Sequence, residues 1–336
     1  MAHQAHALPL AGKPALTIAL TRKPTSLYRD AFSRFFKNRA ALTGLIIVLF
    51  FTLVALFADP IRFLLGLPNP LEIIPNNSLR QPMWINLPDP LKTGIPAHPL
   101  GTDTIGRDIL SRAIYGTRIS LIVGFIPTIV IIIFGTAIGL IAGFFGGKVD
   151  NLLMRLTDII FAFPDLLFFI IVMTALRETW IGKLLNGLVL LFFSLAIVNW
   201  AGLARLVRGQ VLALKEKEYV EAAQSIGATN TRIMLQHLLP NSLAPIIVSA
   251  AFRVPQAILT EAILGYIGVG IRPATDPAYP FPTSWGSMLL DGRNELLSQP
   301  ILLWTPAILI AVVLLAFNFI GDGLRDALDP LMKGRV

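Results

Sequence analysis

Six apolar runs, each about as long as a bilayer is thick, constrain this chain more than any other feature. A helix rises 1.5 Å per residue, so roughly 20 apolar residues cross a hydrocarbon core about 30 Å deep. Residues 40–58, 119–142, 158–176, 187–204, 244–270 and 301–321 meet that requirement, each bounded by charge, proline or glycine. Lipid offers no hydrogen-bond partner to an open backbone, so such runs are expected to be helices. The mean hydropathy of +0.69 and the 14% share of charged residues agree with that reading and exclude an ordinary soluble domain. The expected fold class is therefore an all-α membrane protein with six transmembrane helices.

The net charge of +8 first records topology, and only then any acidic partner. With the N-terminus inside, the inner segments hold 17 Lys and Arg and the two short outer loops hold 4. Both termini are predicted to be cytoplasmic. The organisation that follows is a cytoplasmic tail at 1–39, a first span at 40–58, an extracytoplasmic loop at 59–118, a five-span core at 119–321 and a cytoplasmic tail at 322–336. No internal repeat stands out. About 39 mostly polar residues precede the first run and no small-residue cleavage site follows it, which is not the form of a signal peptide. Just before that run, Tyr28, Phe32, Phe35 and Phe36 share one helical face, with Arg29, Arg34 and Lys37 off it, the pattern of an interfacial helix or of a solvated basic flank.

Several chemistries are excluded early. The absence of cysteine removes disulfides, Cys-ligated zinc and thiol catalysis. The four histidines, at 3, 6, 98 and 237, have no metal-binding spacing. AGFFGGKV at 142–149 lacks the first glycine of a phosphate loop and has Val149 where Ser or Thr would hold magnesium, so its glycines read as the end of the second span. His98, Asp103, Arg107 and Asp108 in the outer loop lack a nucleophile and are read as part of a folded lid. Asp103 or Thr104 is the expected cap of a helix leading into the second span.

Between the fourth and fifth spans, EYVEAAQSIGATNTRIMLQHLLPN at 218–241 has a helical polar face. Tyr219, Ala222, Ala223 and Ile226 recur at helical spacing, with Glu218, Glu221 and Gln224 pointing elsewhere. Gly227 suits a left-handed cap, Thr229 or Asn230 starts a second helix, and Pro240 marks that helix's exit. Such a pair is either a loop packed on its own bundle, a docking element for a cytoplasmic partner, or a DNA-reading helix-turn-helix. The last is disfavoured because residues 229–238 hold only Arg232 and His237 as basic groups, so no nucleic-acid partner is expected. Asp165, Arg253 and Glu261 fall inside spans, where charge is costly; they are candidates for a solute path or for a structural ion pair. Eight residues of helix separate Arg253 from Glu261 by about 12 Å, so they pair only through an intermediary. Pro127 and Pro255 are candidate kinks.

Glu221-Ala222-Ala223, Gly227 and Leu239-Pro240 resemble the EAA loop of permease subunits of bacterial ATP-binding cassette importers. His237, in place of the usual isoleucine, resembles the peptide-transporter branch. So do HPLGTDTIGRD at 98–108, SRAIYGTRISL after it, ILTEAILGYIGVGIRP at 258–273, Trp285-Gly286 and FNFIGDGLRDALDP at 317–330. The resemblance runs over roughly 28–332 and is similar to the second permease of a dipeptide, oligopeptide or nickel uptake system. It implies a type I importer permease fold with an added N-terminal span and no enzymatic activity of its own. Partners implied are a homologous second permease, two ATPase subunits that bind ATP and magnesium, an extracytoplasmic solute-binding protein and the bilayer. Coupling to the ATPases falls on the 205–243 loop through Glu218, Tyr219, Glu221, Ala222, Ala223, Ile226, Gly227, His237 and Pro240. No catalytic or metal site is expected. The competing class is an ion-gradient-driven transporter, whose paired broken helices in two halves are not found.

Overall fold

The computed structural model describes residues 27–329. The tail residues before 27 and after 329, and the side chain of Tyr28, lie outside that description. The helices in chain order are α1 (Leu27–Lys37), α2 (Arg39–Leu56), α3 (Ala58–Leu64), α4 (Ile109–Phe145), α5 (Gly147–Phe161), α6 (Asp165–Ala175), α7 (Trp180–Lys183), α8 (Leu188–Lys215), α9 (Glu218–Ser225), α10 (Asn230–Tyr266), α11 (Trp285–Gly292) and α12 (Ile301–Leu328). Among the described residues there is no strand beyond one isolated bridge, Thr102 to Asp108.

α2, α4, α8, α10 and α12 are each long and apolar enough to cross a membrane, and α5 with α6 makes a sixth crossing if the bent pair is one span. That pair is bent by 78°. The third run, expected as one span at 158–176, is therefore broken: Ala162, Phe163 and Pro164 interrupt it. Proline disfavours a helical residue before it, so α5 ends there and a new helix starts with Pro164 as its N-cap.

The second span also differs from expectation. α4 is 37 residues long, about 55 Å, and joins the span expected from 119 to the helix expected to lead into it, beginning at Ile109. Its cap is Asp108, whose Oδ1 accepts from the Ser111 N–H at 2.6 Å, and not Asp103 or Thr104. Pro240 does not end a helix either. α10 runs on through it, and residues 233–238 widen into a π-helical turn just before it. A π turn shifts the hydrogen-bond register, which accommodates the missing proline N–H within a continuous helix. Pro127 and Pro255 lie inside α4 and α10.

α4 and α10 are antiparallel and central, since both enter all three large apolar clusters. The first joins them to α2, α11 and α12 around Phe51, Ile258, Trp285 and Val313. The second joins them to α6 and α8 around Val123, Phe169, Leu191 and Leu264. The third joins them to α8 and α9. Two ends result. One carries α9 and the chain-terminal side of α12, with α1 set against it through Phe35, packed on Ala41 and Ala327. Phe32 and Phe36 on α1 remain exposed. The other end carries α3, the folded 65–108 segment, α7 and α11.

Candidate functional site

α9 has acidic Glu218 and Glu221 in its first turn, where a helix N-terminus favours negative charge. Its end is a Schellman motif: the Ala228 N–H donates to Ala223 O at 3.0 Å and the Gly227 N–H to Gln224 O at 2.9 Å. Gly227 sits at φ +80°, a left-handed conformation that glycine adopts without strain. Thr229 Oγ1 then accepts from the Arg232 N–H and starts α10. The turn fixes the angle between the two helices.

The sequence pattern placed Tyr219, Ala222, Ala223 and Ile226 on one apolar face, and the structure divides that face. Val220 and Ala223 are the buried residues of α9. Tyr219, Ala222 and Ile226 form an uncovered edge, with Tyr219 41% and Ile226 85% exposed. The reason is the one residue left out of the pattern, Val220, which rotates the buried direction away from the Tyr219 side. His237 on the π turn lies beside Tyr219, ring centroids 6.4 Å apart, and so ties α9 to α10. Glu218, Glu221 and Pro240 are exposed.

Inward, Val220 and Ala223 enter a cluster with Ile131 and Leu140 of α4, Leu203, Val207 and Val211 of α8, and Ile233, Leu238 and Ile246 of α10. α4 and α8 run in parallel along a seam of glycines. A Cβ on Gly135, Gly139 or Gly143 would come within 2.9, 2.6 or 2.8 Å of α8 atoms around Leu203, Val207 and Val211. Small residues four apart let two membrane helices approach backbone to backbone. The spacing is present in GTAIGLIAG at 135–143, whereas the sequence reading assigns Gly143, with Gly146 and Gly147, to the end of the second span. Gly146 and Gly147, at φ +63° and +53°, make the turn from α4 to α5. α5 is held to α8 by Asp150 and Arg208, at 2.5 and 2.6 Å, and by Asp158 and Arg205, at 2.5 Å.

The three charges inside the spans are not gathered in one place. Glu261 is 0% exposed and packs against α11, where a Cβ on Gly286 would come 2.9 Å from its Oε1. Ser284 is the polar group that interacts with it, and neither oxygen makes a hydrogen bond of ordinary geometry among the described residues. Arg253 donates from Nη1 to Asn199 O at 2.8 Å and from Nε to Ser249 Oγ at 3.4 Å. Asp165, exposed at the start of α6, lines a cavity of about 190 Å³ together with Arg253. Arg253 also lines a larger cavity of about 780 Å³ between α8, α10 and the end of α12, which reaches Asn241 near α9.

At the other end the suspected acid and base residues are used up in structure. His98 Nδ1 lies 3.0 Å from Asp108 Oδ2, and His98 Nε2 lies 3.2 Å from Asn77. Asp103 Oδ2 accepts from Arg107 and Arg112, each at 2.6 Å, and both arginines reach Asp291 on α11. Trp285 of α11 is fully buried, donating from Nε1 to Ala113 O at 3.0 Å. The segment is folded and locked to α4 and α11 through these pairs.

Comparison with known proteins covers nearly the whole chain. Residues 135–334 match the model of the binding-protein-dependent transport system inner membrane component, and residues 26–80 match the N-terminal transmembrane domain of oligopeptide transport permease C. The dipeptide transport system permease protein DppC of Alkalihalophilus pseudofirmus is 42% identical, over 92% of this chain and 91% of its own length. The oligopeptide transport system permease protein OppC of Escherichia coli K12 is 40% identical, over 91% of each. Its Bacillus subtilis counterpart is 37% identical, over 94% of this chain and 93% of its own length.

Proposed function

Because the chain belongs to the family of binding-protein-dependent transport system inner membrane components, we propose that it is one of two permease subunits of an importer for short peptides. α9 is its docking element for a partner ATPase. The peptide class rests on the likeness to oligopeptide and dipeptide permease proteins. The docking role rests on one observation above all: Tyr219, Ala222 and Ile226 are uncovered while Val220 and Ala223 on the same short helix are anchored in the α4–α8–α10 cluster. An element so held moves its spans when it is moved.

The working cycle follows from that anchoring. ATP and its magnesium belong to two partner ATPases, whose closure draws their docking surfaces together. α9 follows, and the cluster around Val207 and Leu238 carries the displacement into α4, α8 and α10. An external binding protein supplies the solute, and the second permease completes the path. The end bearing α9 faces the cytoplasm of a cell whose inner membrane holds the chain, in line with 17 basic residues on the inner segments. Glu218 and Glu221 make no ion pair among the described residues and offer carboxylates to a basic docking surface.

The test is extraction of the tagged chain from its native membrane in mild detergent, with mass spectrometry of what accompanies it. A second six-span chain and ATPase subunits are expected, and Glu221→Lys is expected to lose the ATPases, at a docking cost of about 2–5 kcal/mol if the carboxylate meets a buried cation. A chain that comes out alone and moves solute without ATP would end this reading.

A further inference from the structure

The break between α5 and α6 brings Asp165 to the wall of the smaller cavity, which Arg253 and Gln256 of α10 and Asn199 of α8 line with it. Phe161 and Val198 supply apolar wall. The two charges share about 190 Å³ of space and make no ion pair with each other. Asp165 forms no side-chain hydrogen bond or ion pair among the described residues. Among the described residues Arg253 is bonded to one carbonyl and one hydroxyl, so a group with five N–H donors keeps donors in reserve. Gly202 leaves room for it, since a Cβ there would lie 3.3 Å from Nη2.

A part-buried guanidinium inside a membrane protein is expensive unless polar groups meet it, and Asn199, Gln256 and the exposed Asp165 share its cavity. A ligand that fits this set has a cation at one end and a carboxylate at the other. Guanidinium is the side chain best shaped for a carboxylate, through two parallel N–H···O bonds, and the exposed aspartate lining the same cavity suits an ammonium. The large cavity that shares Arg253 and Gln256 has about 780 Å³, within the range of about 300–1,000 Å³ usual for small-ligand sites, and leaves space for groups of any kind.

We propose that Asp165 and Arg253 form a dipolar station for the charged termini of a short peptide, Asp165 taking the α-ammonium and Arg253 the α-carboxylate. This rests on the peptide-importer reading above. Such a station reads only what all linear peptides share and leaves their side chains to the wider cavity. It lies within the permease, so its selectivity is separate from that of a binding protein.

The experiment uses the whole complex of both permeases and the ATPases, purified without the binding protein, and measures equilibrium binding of radiolabelled dialanine, N-acetyl-dialanine and dialanine amide. The parent complex is expected to bind dialanine roughly tenfold or more tighter than either blocked form. Arg253→Gln is expected to weaken the two probes with a free carboxylate by a similar factor and to leave dialanine amide within about twofold. Asp165→Asn is expected to do the converse, sparing N-acetyl-dialanine. Arg253→Lys, which keeps charge but not the planar fork, is expected to recover part of the loss. Equal binding of all three probes by the parent would overturn the station, and so would a uniform loss, or none, in the variants. Reconstitution with the binding protein separates the two readings. ATP-driven dialanine uptake without terminus-selective effects sinks only the station, whereas no peptide uptake by the parent sinks the peptide reading as well.

Discussion

The two ends of the bundle are built on opposite rules. At the end formed by residues 65–108 and the first turns of α4, buried carboxylates are answered from within the chain: Asp103 by Arg107 and Arg112, Asp108 by His98. At the α9 end, Ile226, Tyr219, Glu218 and Glu221 are exposed, and the carboxylates pair with nothing among the described residues. One end has its buried charges paired within the chain. The other has its rigid parts facing inward and its adhesive parts outward, which is the arrangement expected of a surface finished by a partner.

Substitutions can break this contrast, and the largest effect on stability is expected at the closed end. Arg112 is 2% exposed, so Asp103→Ala leaves it Asp291 as its one carboxylate and Thr283 as a hydroxyl, and is expected to cost about 3–5 kcal/mol, nearer the lower figure because those partners remain. Thermal unfolding of the purified chain reads this, while ATPase capture below the unfolding temperature should be unchanged. Next is the seam. Gly139→Ala places a methyl 2.6 Å from Ala204 O and is expected to cost about 1–3 kcal/mol, seen in the same melt and in weakened capture, since α8 carries α9.

Gly227→Ala sharpens the contrast at the open end. Nothing lies within 4 Å of the added methyl, so only the left-handed backbone is penalised, by about 1–2 kcal/mol. Hydrogen exchange should rise in 218–232 and nowhere at the opposite end. The smallest effect concerns acid. The Tyr115 hydroxyl and then Arg118, both bonded to Asp59, hold that carboxyl below its ordinary value of 3.8. A lowered value means the contribution is complete above the ordinary range and is lost as pH falls through the lowered one. A melt at pH 5 should therefore match that at pH 7, with Asp59→Asn differing slightly from the parent at both and converging with it only in strong acid. Asp59 is largely exposed, so the difference is that of a surface pair.

Much of the bundle was legible because hydropathy over 20 residues is a strong signal, and Gly227, Thr229 and the interruption between two helices were legible because capping is local chemistry. What escaped was of three kinds. In the first turns of α4, Arg112, Thr117 and Arg118 lower the hydropathy, so the sequence shows a lead-in helix and a span from 119 but not their union into one helix starting at Ile109 behind an Asp108 cap. The break at Pro164 sits in a long apolar run, where Pro164 and the Asp165 after it are the local signals and neither by itself says that the span bends by 78°. The grip of Arg112 on Asp291 joins residues far apart in the chain, and no local pattern reports it. The division of the α9 face turned on Val220 alone, a residue whose burial depends on where α8 lies.

The account stands on α9 being covered by an ATPase. The chain has no cysteine, so Ile226→Cys gives it a single thiol. Its rate of maleimide labelling can be compared in membranes holding the assembled complex and in membranes stripped of ATPase, with Trp84→Cys, exposed at the closed end, as the reference. The account predicts that assembly protects Ile226→Cys while Trp84→Cys labels alike in both. Equal labelling of Ile226→Cys with and without the ATPases would contradict it.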